Sequence, residues 1–156
     1  MVTSETGLVA VGLDVEAVAH FRERPCTDPE NEAWYRLIFT PAEIERCGAK
    51  SEDKGTARQS ERTAQRFTAC FAGKEATVKA LSSSGIAGVR VPQVEITDRE
   101  SGNTGDYRVR LVSRRGETPP ELPGMTLRLS ITATSDVAMA TCFLSREIDM
   151  TTVDPE

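Results

Sequence analysis

The chain has 156 residues, a formal net charge of −5, 38% apolar and only 5% aromatic residues. That length suits one domain with a mainly aliphatic core, and the acidic balance argues against nucleic acid or an anionic membrane as general partners. No run approaches the roughly 18 apolar residues that cross a bilayer, and a single histidine, His20, excludes a multi-histidine metal centre and favours a hard-cation site over zinc.

Leu8 to Leu13 is short and almost wholly apolar, which predicts a buried strand delivering Asp14 at its end. A helix is expected from Val15 to about Arg24, stopping before Pro25. Asp28-Pro29 opens a second helical stretch through Trp34 and Leu37, with Pro29 in the first turn. Thr40-Pro41-Ala42-Glu43 has the form of a capping box and predicts a short helix closed by Gly48. After a charged loop from Lys50 to Gly55, a long helix is expected from Ala57 to Leu81, with Phe67, Cys70, Phe71, Val78 and Leu81 on one apolar stripe. Lys74 falls within that stripe, so its stem should be buried and its ammonium led out to something anionic.

The second half reads as strands. Val94 to Ile96 is followed by a turn-rich loop from Arg99 to Gly105. Tyr107, Val109 and Leu111 then alternate with Arg108 and Arg110. Leu127, Leu129 and Ile131 alternate again after a proline-rich loop, and Val137 to Leu144 gives a last apolar strand. Helices first and consecutive strands later predict an α+β fold, an antiparallel sheet packed on a long helix. The expected organisation is one domain over 1–147 and a polar tail over 148–156. Cys26, Cys47, Cys70 and Cys142 are widely spaced without a C-x-x-C pair, and no basic-then-apolar leader opens the chain. Reduced thiols and a cytoplasmic location are therefore expected.

The chemistry concentrates in Glu75, Lys79 and Asp14. Glu75 and Lys79 are four apart and project from one side of the predicted helix. A carboxylate beside an ammonium can hold a divalent cation and a phosphate oxygen together, and Asp14 could complete the cation site from another element. Mg²⁺ typically takes one or two protein carboxylates, with water and substrate phosphate filling the rest. Plainer readings stay open: Asp14 as a helix N-cap, Glu75 and Lys79 as a surface ion pair, Gly85 as a helix C-cap. Arg58, Arg62 and Arg66, at i, i+4 and i+8, form either a functional basic stripe or a solvated helix face neutralised by Glu52, Asp53 and Glu61.

Four segments in order, Val11-Gly12-Leu13-Asp14 with Glu16, Ile38 to Glu45, Phe71-Ala-Gly-Lys74-Glu75-Ala-x-x-Lys79-Ala80, and Leu129 to Thr132 leading into Ala138-Met-Ala140, carry a resemblance. Over roughly residues 8–146 the chain resembles the small holo-acyl-carrier-protein synthases, the short class of 4′-phosphopantetheinyl transferases. The resemblance implies transfer of the phosphopantetheine arm of coenzyme A to a serine of an acyl carrier protein or carrier domain, in a homotrimer with sites at subunit interfaces. It makes Asp14 and Glu75 ligands of Mg²⁺, and Glu75, Lys79 and Asp14 the catalytic group. Lys79, Lys74, Gly85, Ser130 and Thr132 would contact coenzyme A, as would Arg66, one turn before Cys70, in compensation for the arginine missing there, and Arg22 and Arg24 would contact the carrier. Three positions depart from the family pattern: Cys70 replaces an arginine, Ala133 a histidine and Gly73 an alanine. The resemblance therefore also admits a catalytically silent or repurposed member that binds carrier proteins or acts on carrier-bound intermediates.

Overall fold

A computed structural model of the chain describes residues 5–48, 57–97 and 107–148. The loop expected at 99–105 and the charged loop at 50–55 lie outside the described residues, as does the tail from Asp149 onward.

The first strand, β1 (Glu5–Ala17), is followed by a short helix α1 (Ala19–Arg22), a 3-10 turn (Pro29–Asn31) and helices α2 (Glu32–Ile38), α3 (Pro41–Gly48) and α4 (Ala57–Ser83). Strands β2 (Val94–Thr97), β3 (Arg108–Leu111), β4 (Met125–Ala133) and β5 (Val137–Ile148) complete the chain. One antiparallel sheet has the order β1-β5-β4, and β2 and β3 form a second pair joined to β4 at Tyr107 and Leu129. This is the α+β arrangement the element order implies.

Two boundaries differ from expectation. The strand does not end at Asp14; it continues to Ala17, because Val15, Glu16 and Ala17 pair with Met139, Ala138 and Val137 of β5. That pairing takes the residues a helix from Val15 would have used, so α1 is reduced to a single turn. At the other end β5 reaches Ile148, which pairs with Glu5, so Ile148 belongs to the strand rather than to the tail.

α4 lies across the inner face of the larger sheet, against Gly12 and Asp14 of β1 and the buried Ala138, Ala140, Cys142 and Leu144 of β5. The small residues Ala72, Ala76 and Ala80 face it and are fully buried, which lets helix and sheet approach closely. Gly12 marks the tightest point: a Cβ there would stand 1.9 Å from the Ala76 carbonyl oxygen and 2.5 Å from the Ala80 nitrogen. At Gly73 a Cβ would meet the ends of the Ile96, Leu129 and Ile131 side chains at 2.6 to 3.0 Å.

Six of the eight aromatic rings are gathered in one place rather than scattered through an aliphatic core. Phe21, Trp34, Tyr35, Phe39, Phe67 and Phe71 gather where α1, α2 and α3 meet α4, with Tyr35 and Phe67 at a centroid distance of 4.7 Å. The sheet side of the core is aliphatic, alanine and cysteine. The capping box forms as expected: the Glu43 carboxylate accepts from Thr40 N at 2.9 Å and the Thr40 hydroxyl from Glu43 N at 3.3 Å.

The outer face of the sheet stays open. Leu8, Val11, Leu13 and Val15 of β1 and Val137, Met139 and Phe143 of β5 are all at least 40% exposed.

Candidate active site

Strand alternation turns Asp14 inward toward α4, and the glycine contact at residue 12 brings β1 within reach of the helix side chains. Lys79 Nζ donates to Asp14 Oδ1 at 2.6 Å. Asp14 is 7% exposed, whereas the Lys79 side chain is about half exposed, at 51%. The second oxygen, Asp14 Oδ2, is buried and has no hydrogen-bond partner. A buried carboxylate oxygen without a donor is costly, so it marks a position that a cation or donor would complete.

Glu75 lies one turn before Lys79, half-buried on the same side of α4. Burial raises its carboxyl above the ordinary range, the Asp14 charge adds to this, and the Lys79 ammonium opposes it. Lys79 is raised by its hydrogen bond to Asp14 and by the negative charges of Asp14, Glu75 and Glu16. Glu16 joins this group, its carboxyl raised by burial and by Asp14 and Glu75, while His20 Nδ1 at 3.6 Å pulls the other way. Sequence reasoning that starts a helix at Val15 does not place Glu16 here. The signal was strand alternation, which puts residue 16 on the same face as residue 14.

Acidic side chains facing one lysine make a cluster whose charge is incompletely neutralised. Among the described residues no three His, Cys, Asp or Glu are gathered closely enough to enclose a metal ion by themselves. Two carboxylates with an open remainder fit Mg²⁺, which keeps water and phosphate oxygens as its other ligands. The orphaned Asp14 Oδ2 is the atom that fits such an ion.

The remaining expected site residues fall elsewhere. Lys74 is fully buried and does not emerge at the surface: its ammonium bonds Glu43 Oε2 at 2.6 Å and the Val94 carbonyl, beside the Phe39 ring. The anion it was expected to meet is internal, so Lys74 ties α4 to α3 and β2 and is not available to a coenzyme. Glu43 Oε1 accepts from Ile96 N at 2.8 Å, which completes that buried junction. Gly85 has φ of 85° and ends α4, with Ile86 N bonded to the Leu81 carbonyl at 3.0 Å, the C-cap geometry. Ser130 and Thr132 point to the outer face of β4, opposite Thr141 and Met139, and so lie across the sheet from Asp14 and Glu75.

Arg66, on α4, borders a cavity of about 310 Å³ together with Arg46, Cys47 and Cys70. Its Nη1 is buried without a partner. Arg22 is held by Glu61 through two bonds of 2.8 and 2.6 Å and also donates to the Ser135 carbonyl at 3.1 Å. The Arg24 guanidinium lies over the Trp34 ring at 5.3 Å. Of the basic stripe, Glu61 is therefore spent on Arg22, and Arg62 is exposed.

The 4′-phosphopantetheinyl transferase superfamily is matched over residues 10–118. The holo-[acyl-carrier-protein] synthase of Myxococcus xanthus is 29% identical over 143 residues, spanning 92% of this chain and 99% of that protein. Its counterpart from Geotalea daltonii is 26% identical over 139 residues, spanning 89% and 99%. Among solved structures, the acyl carrier protein synthase of Mycobacterium tuberculosis superposes with a TM-score of 0.57 at 26% identity, covering 90% of this chain and 99% of that one. The holo-(acyl-carrier-protein) synthase of Bacillus anthracis in complex with CoA (3′,5′-ADP) has the same fold, with a TM-score of 0.57 at 21% identity, covering 89% and 97%. With more than half of its length matched by the family, the chain belongs to the 4′-phosphopantetheinyl transferase superfamily.

Proposed function

We propose that this protein transfers the 4′-phosphopantetheine arm of coenzyme A to a serine hydroxyl of an acyl carrier protein or carrier domain, in a Mg²⁺-dependent reaction. The observation that carries the reading is the buried, unpartnered Asp14 Oδ2 beside Lys79 and Glu75. Asp14 and Glu75 would hold the Mg²⁺, which, when bound, would neutralise charge on the pyrophosphate and its departing half.

The chain's own residues do the rest. Lys79, half exposed and anchored on Asp14, orients that carboxylate and presents an ammonium toward a phosphate oxygen. Glu75, on the same side of α4 as Lys79, takes the serine proton. Arg66 stands nine residues before Glu75, about 13 Å along the helix and on its opposite face, where it borders a separate cavity, so it has no part in the pyrophosphate site. Lys74 and Gly85 have no part in this assignment.

A homotrimer is supported by the exposed apolar face of β1 and β5. Ser130 and Thr132 share that face, so a neighbouring copy's site is the one they would serve, which agrees with sites at subunit interfaces. For carrier docking Arg24 is the better candidate than Arg22, whose charge is already matched by Glu61. Free cysteines at all four positions accord with a cytoplasmic setting.

The test is to incubate the purified protein with coenzyme A, Mg²⁺ and a panel of apo-carrier proteins, and to weigh the carriers by mass spectrometry. A phosphopantetheine mass gain that requires Mg²⁺ and is lost in Asp14→Asn supports transfer. Carrier binding without any mass gain would instead support a repurposed, non-transferring member. The observation that favours this second reading is Cys70, a buried thiol where the family pattern has an arginine.

A further inference from the structure

Cys47 near the end of α3 and Cys70 in α4 are both buried, at 4% and 5% exposure, and both line the 310 Å³ cavity bordered by Arg46 and Arg66. The two thiol side chains interact directly, each the largest influence on the other's titration. Arg46 Nη2 stands 3.8 Å from Cys70 Sγ, and the buried Nη1 of Arg66 has no partner. The interaction with Cys70, followed by the Arg46 and Arg66 charges, draws the Cys47 thiol below its ordinary value against burial and Glu43. The same interaction, with burial, holds Cys70 well above it. A thiolate-prone sulfur beside a protonated thiol is the arrangement in which one sulfur is oxidised first and the second resolves it.

We infer that Cys47 and Cys70 form a redox modification site, where a hydroperoxide entering this cavity joins α3 to α4 through a Cys47–Cys70 disulfide. The Cys47 thiolate attacks one peroxide oxygen, the O–O bond breaks, and the departing hydroxide takes up a proton to leave as water. Cys47 is then a sulfenic acid. Cys70 loses its proton and attacks the Cys47 sulfur, the S–O bond breaks, and a second water leaves. Two thiols are oxidised by two electrons in all, and one hydrogen peroxide is reduced to two waters. The other cysteines do not compete as first nucleophile: burial and the Cys47 charge push Cys26 up, and burial pushes Cys142 to about 11. The site involves none of Asp14, Glu75 and Lys79, so it stands independently of the transferase reading.

The test uses the full chain, reduced, desalted, treated with a small excess of hydrogen peroxide, alkylated, digested and mapped by mass spectrometry. The expected product is a loss of two hydrogens located in a cross-linked peptide pair containing Cys47 and Cys70, reversed by dithiothreitol and retained in Cys26→Ser. In Cys70→Ser the reaction should stop at a Cys47 sulfenic acid that dimedone traps. A cross-link from Cys47 to Cys26, sulfinic acid without any cross-link, or four surviving thiols would each overturn the inference. The wild-type map decides by itself, so a cysteine variant that fails to fold leaves the outcome unchanged.

Discussion

Gly12→Ala isolates the contact on which the acidic site depends. The added Cβ would stand 1.9 Å from the Ala76 oxygen, whereas ordinary contact begins near 3.4 Å. Both obstacles are backbone atoms in the middle of α4, so no side chain can rotate away, and β1 must withdraw by about 1.5 Å. Overpacking of this kind costs typically ~1–3 kcal/mol, against a total stability of about 5–15 kcal/mol for a domain. Asp14 is two residues further along the same face, so the same displacement stretches its 2.6 Å bond to Lys79 beyond hydrogen-bonding range. Misplacement by about 1 Å at a reacting centre can reduce rate by about a hundredfold. Urea melts should therefore show Gly12→Ala folded but weakened by ~1–3 kcal/mol. Carrier-modification assays on the same preparation should show a transfer rate reduced by about a hundredfold. Wild-type stability together with wild-type transfer in Gly12→Ala would refute the claim that this close approach sets the position of Asp14.

Three further outcomes follow from the same geometry. Because the Glu75 carboxyl is raised in the folded chain, stability falls as pH rises from the ordinary glutamate range through the raised value. Glu75→Gln should thus melt above wild type at neutral pH without divalent cation, lose that advantage in acid, and show neither Mg²⁺-dependent stabilisation nor transfer; calorimetry across pH with and without Mg²⁺ checks this. Lys74→Met leaves Glu43 charged and buried without its ion-pair partner, and denaturant melts should register a loss of about 3–5 kcal/mol, whereas half-exposed Lys79→Ala should lose transfer with much less destabilisation. Leu13→Glu puts a charge in the middle of the exposed apolar face, and light scattering should find a monomer in place of the proposed trimer; a mass unchanged from wild type would exclude that face as the subunit contact.

Local rules made much of this protein readable. The Thr40 and Glu43 capping box, the long period of α4 and the alternation in β3 and β4 each depend on residues a few positions apart, and each forms as its spacing implies. Asp14, Glu75 and Lys79 could be singled out because Glu75 and Lys79 are four apart on one helix and Asp14 follows an apolar run, a pattern the family resemblance then joined into one site. Long-range partners decided the rest. β1 runs past Asp14 only because β5 offers Val137 to Met139 for pairing, and that extension brings Glu16 into the acidic cluster. Lys74 and Lys79 stand five positions apart on one helix, yet one is sealed against Glu43 and the other half open to solvent. Helical phase shows that they point different ways, but not what each will meet. Ser130 and Thr132 lie across their own sheet from Asp14, and Cys47 and Cys70, twenty-three positions apart, share a cavity that no spacing announces. Periodicity and capping are properties of a short stretch of backbone. Which charge is neutralised, and which thiol finds another, depends on segments that only the packed core brings together.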